Sequence, residues 1–193
     1  MKNMEKLKTH ISKYIQLDPI QLDEVAGFFH PISFKRKEVV LYTGSICNYD
    51  YYIVSGAVKQ SRLNVNTGAE EVLSLAISDW WITDLDSLRN HIPSNSTIQA
   101  VQNTEALALG RVGFEKLCNR FPQMEQYFRL MTERHLISWM NRIYMRNSLS
   151  AEERIDHFIN AYPAHYEAFP RYMIASYLGM SAEMLSKIRS RGH

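Results

Sequence analysis

The chain has 193 residues, of which 46% are hydrophobic and 22% charged, and its formal net charge is +2. This composition is typical of a globular protein with one large or two small domains and excludes extensive disorder. The two cysteines, Cys47 and Cys118, are too few for a disulfide framework, a zinc site or a cysteine-bound iron–sulfur cluster. We expect a reduced, cytoplasmic setting without membrane insertion, because the sequence has neither a signal-peptide core nor an apolar run of membrane length.

The first half of the chain changes its hydrophobic period near residue 32. Residues 1–30 carry two apolar stripes with helical spacing, separated by an Asp-Pro pair. From Ile32 to Leu109, short β-rich runs alternate with glycines and turn residues. This spacing predicts seven or eight antiparallel strands in a small barrel or sandwich.

The helical period returns at Val112, and residues 123–147 carry one long apolar stripe. The stripe is too wide to be covered by a single small barrel. It therefore indicates a partner helix, most simply the same helix of a second copy in a homodimer. The alternative is that the barrel of one subunit covers both sides of the helix.

A new helix is expected after a break near Ser148. Ser150 and Glu153 have the spacing of a capping box, Pro163 ends this helix, and a loop follows up to Phe169. The sequence thus predicts an α+β protein with three parts: an effector domain (residues 1–122), a dimerisation helix (123–147) and a C-terminal helical domain (148–193), with a hinge near Ser148.

The last stretch, residues 169–191, predicts two short helices joined by a tight turn. Gly179 stands where the first helix must end in a left-handed conformation, and Ser181 follows as the N-cap of the second. The apolar positions that would face each other are Ile174, Leu178, Met180, Leu185 and Ile188. This pattern is typical of a helix-turn-helix that places its second helix in the DNA major groove. An ordinary αα-hairpin is the alternative.

If Leu185 and Ile188 face the protein, a polar face of the second helix is left for DNA, comprising Ser181, Ala182, Glu183, Ser186, Lys187 and Ser190. Lys187 could reach a guanine edge or a phosphate, and Glu183 could accept from a cytosine amino group. The basic residues of this end are Arg171, Lys187, Arg189 and Arg191, against the single acid Glu183, which gives a local charge of +3. Such a charge suits phosphate contacts. A plain surface pair of Glu183 and Lys187 is the alternative.

The order of barrel, long helix and helix-turn-helix resembles the cyclic-AMP receptor protein / Fnr superfamily of bacterial transcription regulators. The resemblance rests on Gly44, Tyr52–Lys59, Ser150–Arg154, Ile174–Ser181 and Leu185–Arg189. The last block is similar to a group of members that end soon after the recognition helix. The resemblance implies a cyclic-nucleotide-binding-like barrel (a double-stranded β-helix) and a homodimer that reads an inverted repeat in double-stranded DNA. RNA polymerase is a further partner that it leaves open.

The stretch that matches the family's effector site departs from the pattern. Members that bind cyclic AMP hold the ribose hydroxyl with a glutamate and the cyclic phosphate with an Arg-Ser pair. The glutamate falls here on Thr83 or Asp84, and the pair falls on Ser94-Asn95 or on Asn95-Ser96, with no arginine. A buried phosphate without its bidentate arginine loses its strongest contact, so we expect that cyclic AMP is not a tight effector. Thr83, Asp84, Asn95 and Ser96 then form either a polar rim for another, unidentified small molecule or simple turns.

Two rival classes compete with this interpretation. An enzyme or a metal- or cofactor-binding barrel finds little support: the only histidine between Ile32 and Leu109 is His91, and no Gly-rich phosphate loop or nucleophile motif is present. The second rival is a small-molecule-binding or interaction module that has lost specific DNA binding. Ala182 supports it, because better-known family members carry a base-reading arginine at this position.

Overall fold

The computed structural model describes residues 2–191, without the side chain of Arg191, whose predicted basic role lies outside the described part. Residues 30–110 form eight strands, which confirms the predicted β-rich region. Their bounds are β1 His30–Phe34, β2 Val39–Leu41, β3 Tyr49–Ser55, β4 Ala57–Leu63, β5 Glu70–Ile77, β6 Trp81–Ile82, β7 Thr97–Ala100 and β8 Thr104–Gly110.

The strands form two antiparallel four-stranded sheets, with the orders β1-β8-β3-β6 and β2-β7-β4-β5. The sheets are not joined by a ladder among the described strands. The predicted barrel is therefore not closed, and of the two forms that the spacing allowed, the domain is the sandwich. The reason is visible at the edges, where β2 has three residues and β6 only two. Such short edge strands cannot continue a sheet into a closed cylinder.

The helices precede, interrupt and follow the sandwich. Their bounds are α1 Lys2–Ser12, α2 Pro19–Ala26, α3 Leu85–Asn90, α4 Arg111–Arg120, α5 Gln123–Ser148, α6 Ala151–Ala161, α7 Pro163–Ala168, α8 Arg171–Leu178 and α9 Ala182–Arg191. None of those within residues 2–191 has the length and apolar character of a membrane span. The long helix α5 ends within one residue of its predicted end, and Ser150 forms the expected capping box with Glu153.

Two short helices were missed by the sequence analysis. Helix α3 lies between β6 and β7, where no helix was expected. Helix α7 replaces the predicted loop after Pro163, because this proline occupies the first helical position and starts α7 instead of merely ending α6. A six-residue helix is too short to show a helical hydrophobic period.

The C-terminal helices share a core with the sandwich. Ala57, Val72 and Leu75 of the strands β4 and β5 pack in one buried cluster with residues of α6–α9, including Phe158, Ile174 and Leu185. This cluster covers the outer side of β5, the edge strand of its sheet.

Polar side chains of two helices also satisfy backbone groups of that edge. The Ser176 hydroxyl of α8 accepts from the Val72 N–H (2.9 Å), and Arg142 of α5 donates to the Leu73 carbonyl oxygen (2.8 Å). An uncovered edge would leave such groups free to pair with another chain. Helices α5 and α8 are thereby fixed to the sandwich.

Candidate functional site

The turn between α8 and α9 is built as the sequence predicts. Gly179 adopts the left-handed conformation (φ 71°, ψ 42°), and the Met180 N–H donates to the Ala175 carbonyl oxygen at 3.0 Å. The Ser181 hydroxyl accepts from the Met184 N–H (3.1 Å) and caps the start of α9. Glycine at this position is favoured because a Cβ would strain the left-handed backbone. The turn therefore fixes the direction in which α9 leaves α8.

One face of α9 is buried, and it is the predicted one. Leu185 is 2% exposed and packs against α8 residues that include Ala175 and Leu178, both buried. Ile188 is half-buried at the edge of the same cluster. The opposite face is consequently turned to solvent.

The side chains predicted on the outward face of the second helix are all exposed: Ser181, Ala182, Glu183, Ser186, Lys187 and Ser190. Arg189, predicted among the basic residues of this end, is exposed as well. Met184, which was not assigned to the outward face, is also 48% exposed. Among the described side chains, Glu183 and Lys187 form no ion pair, so Lys187 is available to a ligand. The pKa of the Glu183 carboxyl is held below its ordinary value by its own backbone N–H and by the Ser181 hydroxyl, so Glu183 is an ionised acceptor at neutral pH.

Arg171 lies apart from this face, at the start of α8. Its guanidinium carbon is 3.5 Å from the ring centroid of Tyr166 in α7. A guanidinium N–H of Arg171 also donates to the Tyr166 carbonyl oxygen. Arg189 of α9 approaches the same ring at 5.3 Å. Cation–π contacts of this kind hold both guanidinium groups near α7. Tyr166 was missed by sequence reasoning, since nothing local links a residue of an expected loop to two distant arginines.

Lys187 borders an open crevice of about 400 Å³ between α9 and the start of α6. The other residues that line it are Ser150, Ala151, Glu152, Met184 and Ile188. The chain enters this region from α5 through Leu149, which has an extended backbone (φ −106°, ψ 147°). The break between α5 and α6, where a hinge near Ser148 is predicted, thus lies beside α9.

The four effector-pocket candidates lie in residues 83–96, the segment between β6 and β7 that we call the mouth of the sandwich, and the structure gives each of them a partner within the chain. Thr83 donates to the Tyr49 carbonyl oxygen at 3.0 Å. Asp84 is the N-cap of α3 and accepts from the Ser87 N–H (3.2 Å), the Ser94 hydroxyl (2.6 Å) and the Ser96 hydroxyl (2.9 Å). Asp84 is only 8% exposed and Ser96 is fully buried.

Neighbouring strands complete this network. Gln60 of β4 donates its side-chain N–H to the Ser96 hydroxyl (2.8 Å), and Arg62 donates to the Asn95 carbonyl oxygen (3.1 Å). Burial alone would raise the pKa of Asp84, but the hydrogen bonds from Ser94, the Ser87 N–H and Ser96 outweigh it and hold that pKa below its ordinary value. Ser94 and Gln60 were not among the predicted residues, although Ser94 lies in the stretch that was aligned with the phosphate-binding pair.

Helix α5 presents a continuous apolar face that the described part of the chain does not cover. Its side chains are between 54% and 64% exposed: Leu136, Ile137, Met140, Ile143 and Tyr144. They recur at spacings of three and four residues, which places them on one side of the helix. Near the start of the helix, by contrast, Met124, Tyr127 and Phe128 are buried against the sandwich and α1.

Comparison with known proteins defines the class of the sandwich. Residues 31–121 match the family model of the cyclic nucleotide-binding domain. A curated relative, the anaerobic regulatory protein of Pasteurella multocida (strain Pm70), is 23% identical over 182 residues, which is 89% of this chain and 65% of that protein. The chain thus spans about two thirds of the length of this relative.

Solved structures share the fold over most of the chain. FixK2 from Bradyrhizobium japonicum superposes with a TM-score of 0.73 at 19% identity, covering 84% of this chain and 83% of its own. The c-di-GMP responsive global regulator CLP from Xanthomonas campestris gives 0.72 at 15% identity, covering 90% and 91%. The sandwich is therefore similar to cyclic nucleotide-binding domains, and the predicted resemblance to the cyclic-AMP receptor protein / Fnr superfamily is confirmed as a resemblance of sequence and fold.

Proposed function

We propose that the chain is a DNA-binding transcription regulator that works as a homodimer, reads an inverted repeat with its two α9 helices, and does not use cyclic AMP as a tight effector. The observation that carries the proposal is the outward face of α9. It is exposed along its whole described length, while Leu185 anchors the opposite face in the protein core.

The chemistry of this face suits a major groove. Small side chains at Ser181, Ala182 and Ser186 let the start of α9 approach base edges closely, and Lys187 has no partner among the described carboxylates. In helix-turn-helix proteins, residues near the start of the second helix contact the bases. The curated relative is by its name a regulatory protein, which supports the same function for this chain.

The apolar face of α5 supports the dimer. Five large side chains more than half exposed on one side of a helix would be an unusual surface for a monomer. A second α5 packed against them would remove this apolar surface from water. A symmetric pair would place the two α9 helices about one DNA turn apart, roughly 34 Å, which is the spacing that an inverted-repeat operator requires.

The sandwich mouth supports the effector part of the proposal. Asp84, an ionised carboxylate, lies in the stretch aligned with the family's ribose- and phosphate-binding residues, and Ser94 and Ser96 already donate to it. A cyclic phosphate there would meet the negative charge of Asp84, and no arginine stands at the position of the family's Arg-Ser pair. Isothermal titration with cyclic AMP is expected to give no micromolar binding; a saturable micromolar isotherm would refute this part.

The DNA-binding part is tested with Lys187→Ala. If Lys187 reads a base, this change costs about 1–3 kcal/mol on the cognate site and relaxes specificity there. If it contacts only phosphate, affinity falls similarly on all sequences and the salt slope falls by about one. Mobility-shift titrations at several salt concentrations distinguish the two. Lys116→Ala, on the exposed side of α4, is the matched control and should change neither quantity.

The dimer is tested with Met140→Lys, which places a charge in the centre of the α5 face. We expect dissociation to monomers and loss of inverted-repeat binding, measured by sedimentation velocity and mobility shift, because a buried unpaired charge is costly. The control is Ile20→Lys, an exposed apolar residue of α2 (73% exposed) that the dimer would not bury. A Met140→Lys protein that remains dimeric would contradict the α5 interface.

Wild-type protein that is a folded dimer but binds no DNA, even at low salt, would favour the alternative of an interaction module without DNA binding. In that case Lys187→Ala and Met140→Lys give different outcomes. The first would change nothing, whereas the second would still dissociate the dimer.

A further inference from the structure

The segment of residues 84–96, which comprises α3 and the loop that follows it, packs against the strands of the sandwich in a closed position. It is held by two kinds of contact. Leu88 of α3 is 4% exposed and packs in the same buried cluster as Ile53, Ile82 and Ile98 of the strands. At the polar end, Asp84 binds the two serines that lead into β7, Ser94 and Ser96.

The hydrogen bonds converge on a single carboxylate. Asp84 Oδ2 accepts from the hydroxyls of Ser94 (2.6 Å) and Ser96 (2.9 Å), while Oδ1 accepts from the Ser87 N–H at 3.2 Å. Ser94 is 2% exposed and Ser96 0% exposed. Two buried hydroxyls that point at one anion form a donor set, and buried donors of this kind are costly to leave without an acceptor.

The donor set is itself supported from outside the segment. Gln60 of β4 donates to the Ser96 hydroxyl oxygen (2.8 Å), which leaves the proton of Ser96 free to point at Asp84. Arg62 holds the Asn95 carbonyl oxygen at 3.1 Å and lies close enough to lower the pKa of Asp84. The arrangement therefore contains donors, a nearby cation and an anion, all supplied by the chain.

We propose that Asp84 is the resident anion of this domain: its carboxylate occupies the donors that a small anionic ligand would need, and it thereby keeps the segment 84–96 closed without any ligand. The inference goes beyond the proposed function, because it concerns the sandwich alone and does not require that the chain binds DNA. The Asp84 carboxylate takes the place of a bound anion as the acceptor of the Ser94 and Ser96 hydroxyls. We therefore expect the sandwich mouth to accept an anion only when this carboxylate is removed.

Hydrogen exchange of the full chain, followed by mass spectrometry without added ligand, tests the proposal. In the wild type, amides of residues 84–96 should be protected. In Asp84→Asn and Asp84→Ala they should exchange about tenfold faster or more, since two charge-assisted hydrogen bonds are lost. Asp86→Asn, an exposed carboxylate in the first turn of the same helix, is the matched control and should leave the segment protected.

Formate then tests whether the donors form an anion site. Asp84→Ala leaves a space of about the size of a carboxylate, so about 50–100 mM sodium formate, compared with sodium chloride at equal ionic strength, should restore protection in this variant but not in Asp84→Asn, where the side-chain amide fills the space. Amides of α1, remote from the segment, report whether each variant stays folded.

Three results would overturn the proposal. The first is a wild-type segment that exchanges freely, which would show that it is not held closed. The second is unchanged protection in Asp84→Asn. The third is an Asp84→Ala protein on which formate has no effect beyond that of chloride, which would reduce Asp84 to an ordinary helix cap.

Discussion

The mouth of the sandwich and the outward face of α9 are built from the same kinds of residue but use them in opposite ways. Around Asp84, the serine hydroxyls are buried and every one is paired within the chain. On α9, the serines and Lys187 are exposed, and the partners of Ser181 and Ser190 belong to the same helix. The hydroxyls around Asp84 are already used in internal hydrogen bonds, whereas the polar side chains of α9 are available to a partner.

Residue type alone therefore does not mark a binding site. Ser94 and Ser186 are chemically alike, yet only the second can bond to an external molecule without breaking an internal contact. Substitutions should therefore separate the regions: changes at the sandwich mouth should act on stability, whereas changes on α9 should act on DNA affinity.

Asp50, whose carboxyl group lacks a full set of partners, gives the largest expected effect. Its Oδ1 is buried without a hydrogen-bond partner among the described residues, and burial raises its pKa from 3.8 to about 7 against the weaker opposing charge of Arg89. The unfolded chain then ionises first, so stability is highest below about pH 4 and falls by up to about 1.4 kcal/mol per unit as the pH rises to about 7. Asp50→Asn should remove this slope and be more stable than the wild type at pH 8.

Urea denaturation at pH 5 and pH 8 measures this change, with Asp86→Asn as the exposed control. The stabilisation should be larger at pH 8 by up to about 3 kcal/mol, the cost of roughly two pH units within the titration range. An Asp50→Asn protein with an unchanged pH slope would show that the Asp50 carboxyl titrates normally.

Asp84→Ala should give the next largest effect and the opposite sign with pH. The change removes the carboxylate that accepts from two buried hydroxyls, and only Ser94 keeps a second backbone acceptor, the Ser96 carbonyl oxygen at 2.9 Å. We therefore expect a loss of about 3 kcal/mol in the free energy of unfolding at pH 7. Because the pKa of Asp84 is lowered, the difference from the wild type should shrink as the pH falls below about 4, where the unfolded carboxyl is protonated. A loss no larger than that of Asp86→Ala would place Asp84 among ordinary surface residues.

Ser181→Ala tests a residue that stabilises the fold as the N-cap of α9 and is also exposed to a partner. Loss of the cap should cost about 1 kcal/mol of stability. If Ser181 also contacts DNA, affinity should fall by more than this local destabilisation explains, whereas Ser181→Asp should restore the cap but repel phosphate. Equal DNA affinity of the serine and aspartate forms would exclude a contact with the DNA backbone at this position.

Lys187→Ala should have the smallest effect on the fold, within about 0.5 kcal/mol of the wild type, because Lys187 is exposed and has no ion pair among the described side chains. Thermal unfolding measures this. A large destabilisation would mean that Lys187 stabilises the packing of α9 against α6. Lys187 would then act on stability like the residues around Asp84, which contradicts the contrast between the two regions.

Features that depend on local sequence could be predicted, and features that depend on distant contacts could not. Gly179 has a residue type that a left-handed turn requires, Ser150 lies three residues before its capping partner, and α5 is long enough to show its period. The Asp84 network joins residues 10 and 12 positions apart and is supported from β4, so no periodicity reveals it. The open form of the sandwich depends on which strands pair at the edges of the two sheets, and the hydrophobic pattern of a single strand does not show this.

The most direct test of ligand-independent DNA reading is a selection of genomic DNA fragments with the purified wild-type protein, without added ligand, at about 100 mM salt. We predict enrichment of an inverted repeat whose half-sites lie one helical turn apart, because the α9 faces are exposed and the sandwich is held closed by its own Asp84. A folded dimer that enriches no sequence would contradict ligand-independent DNA reading.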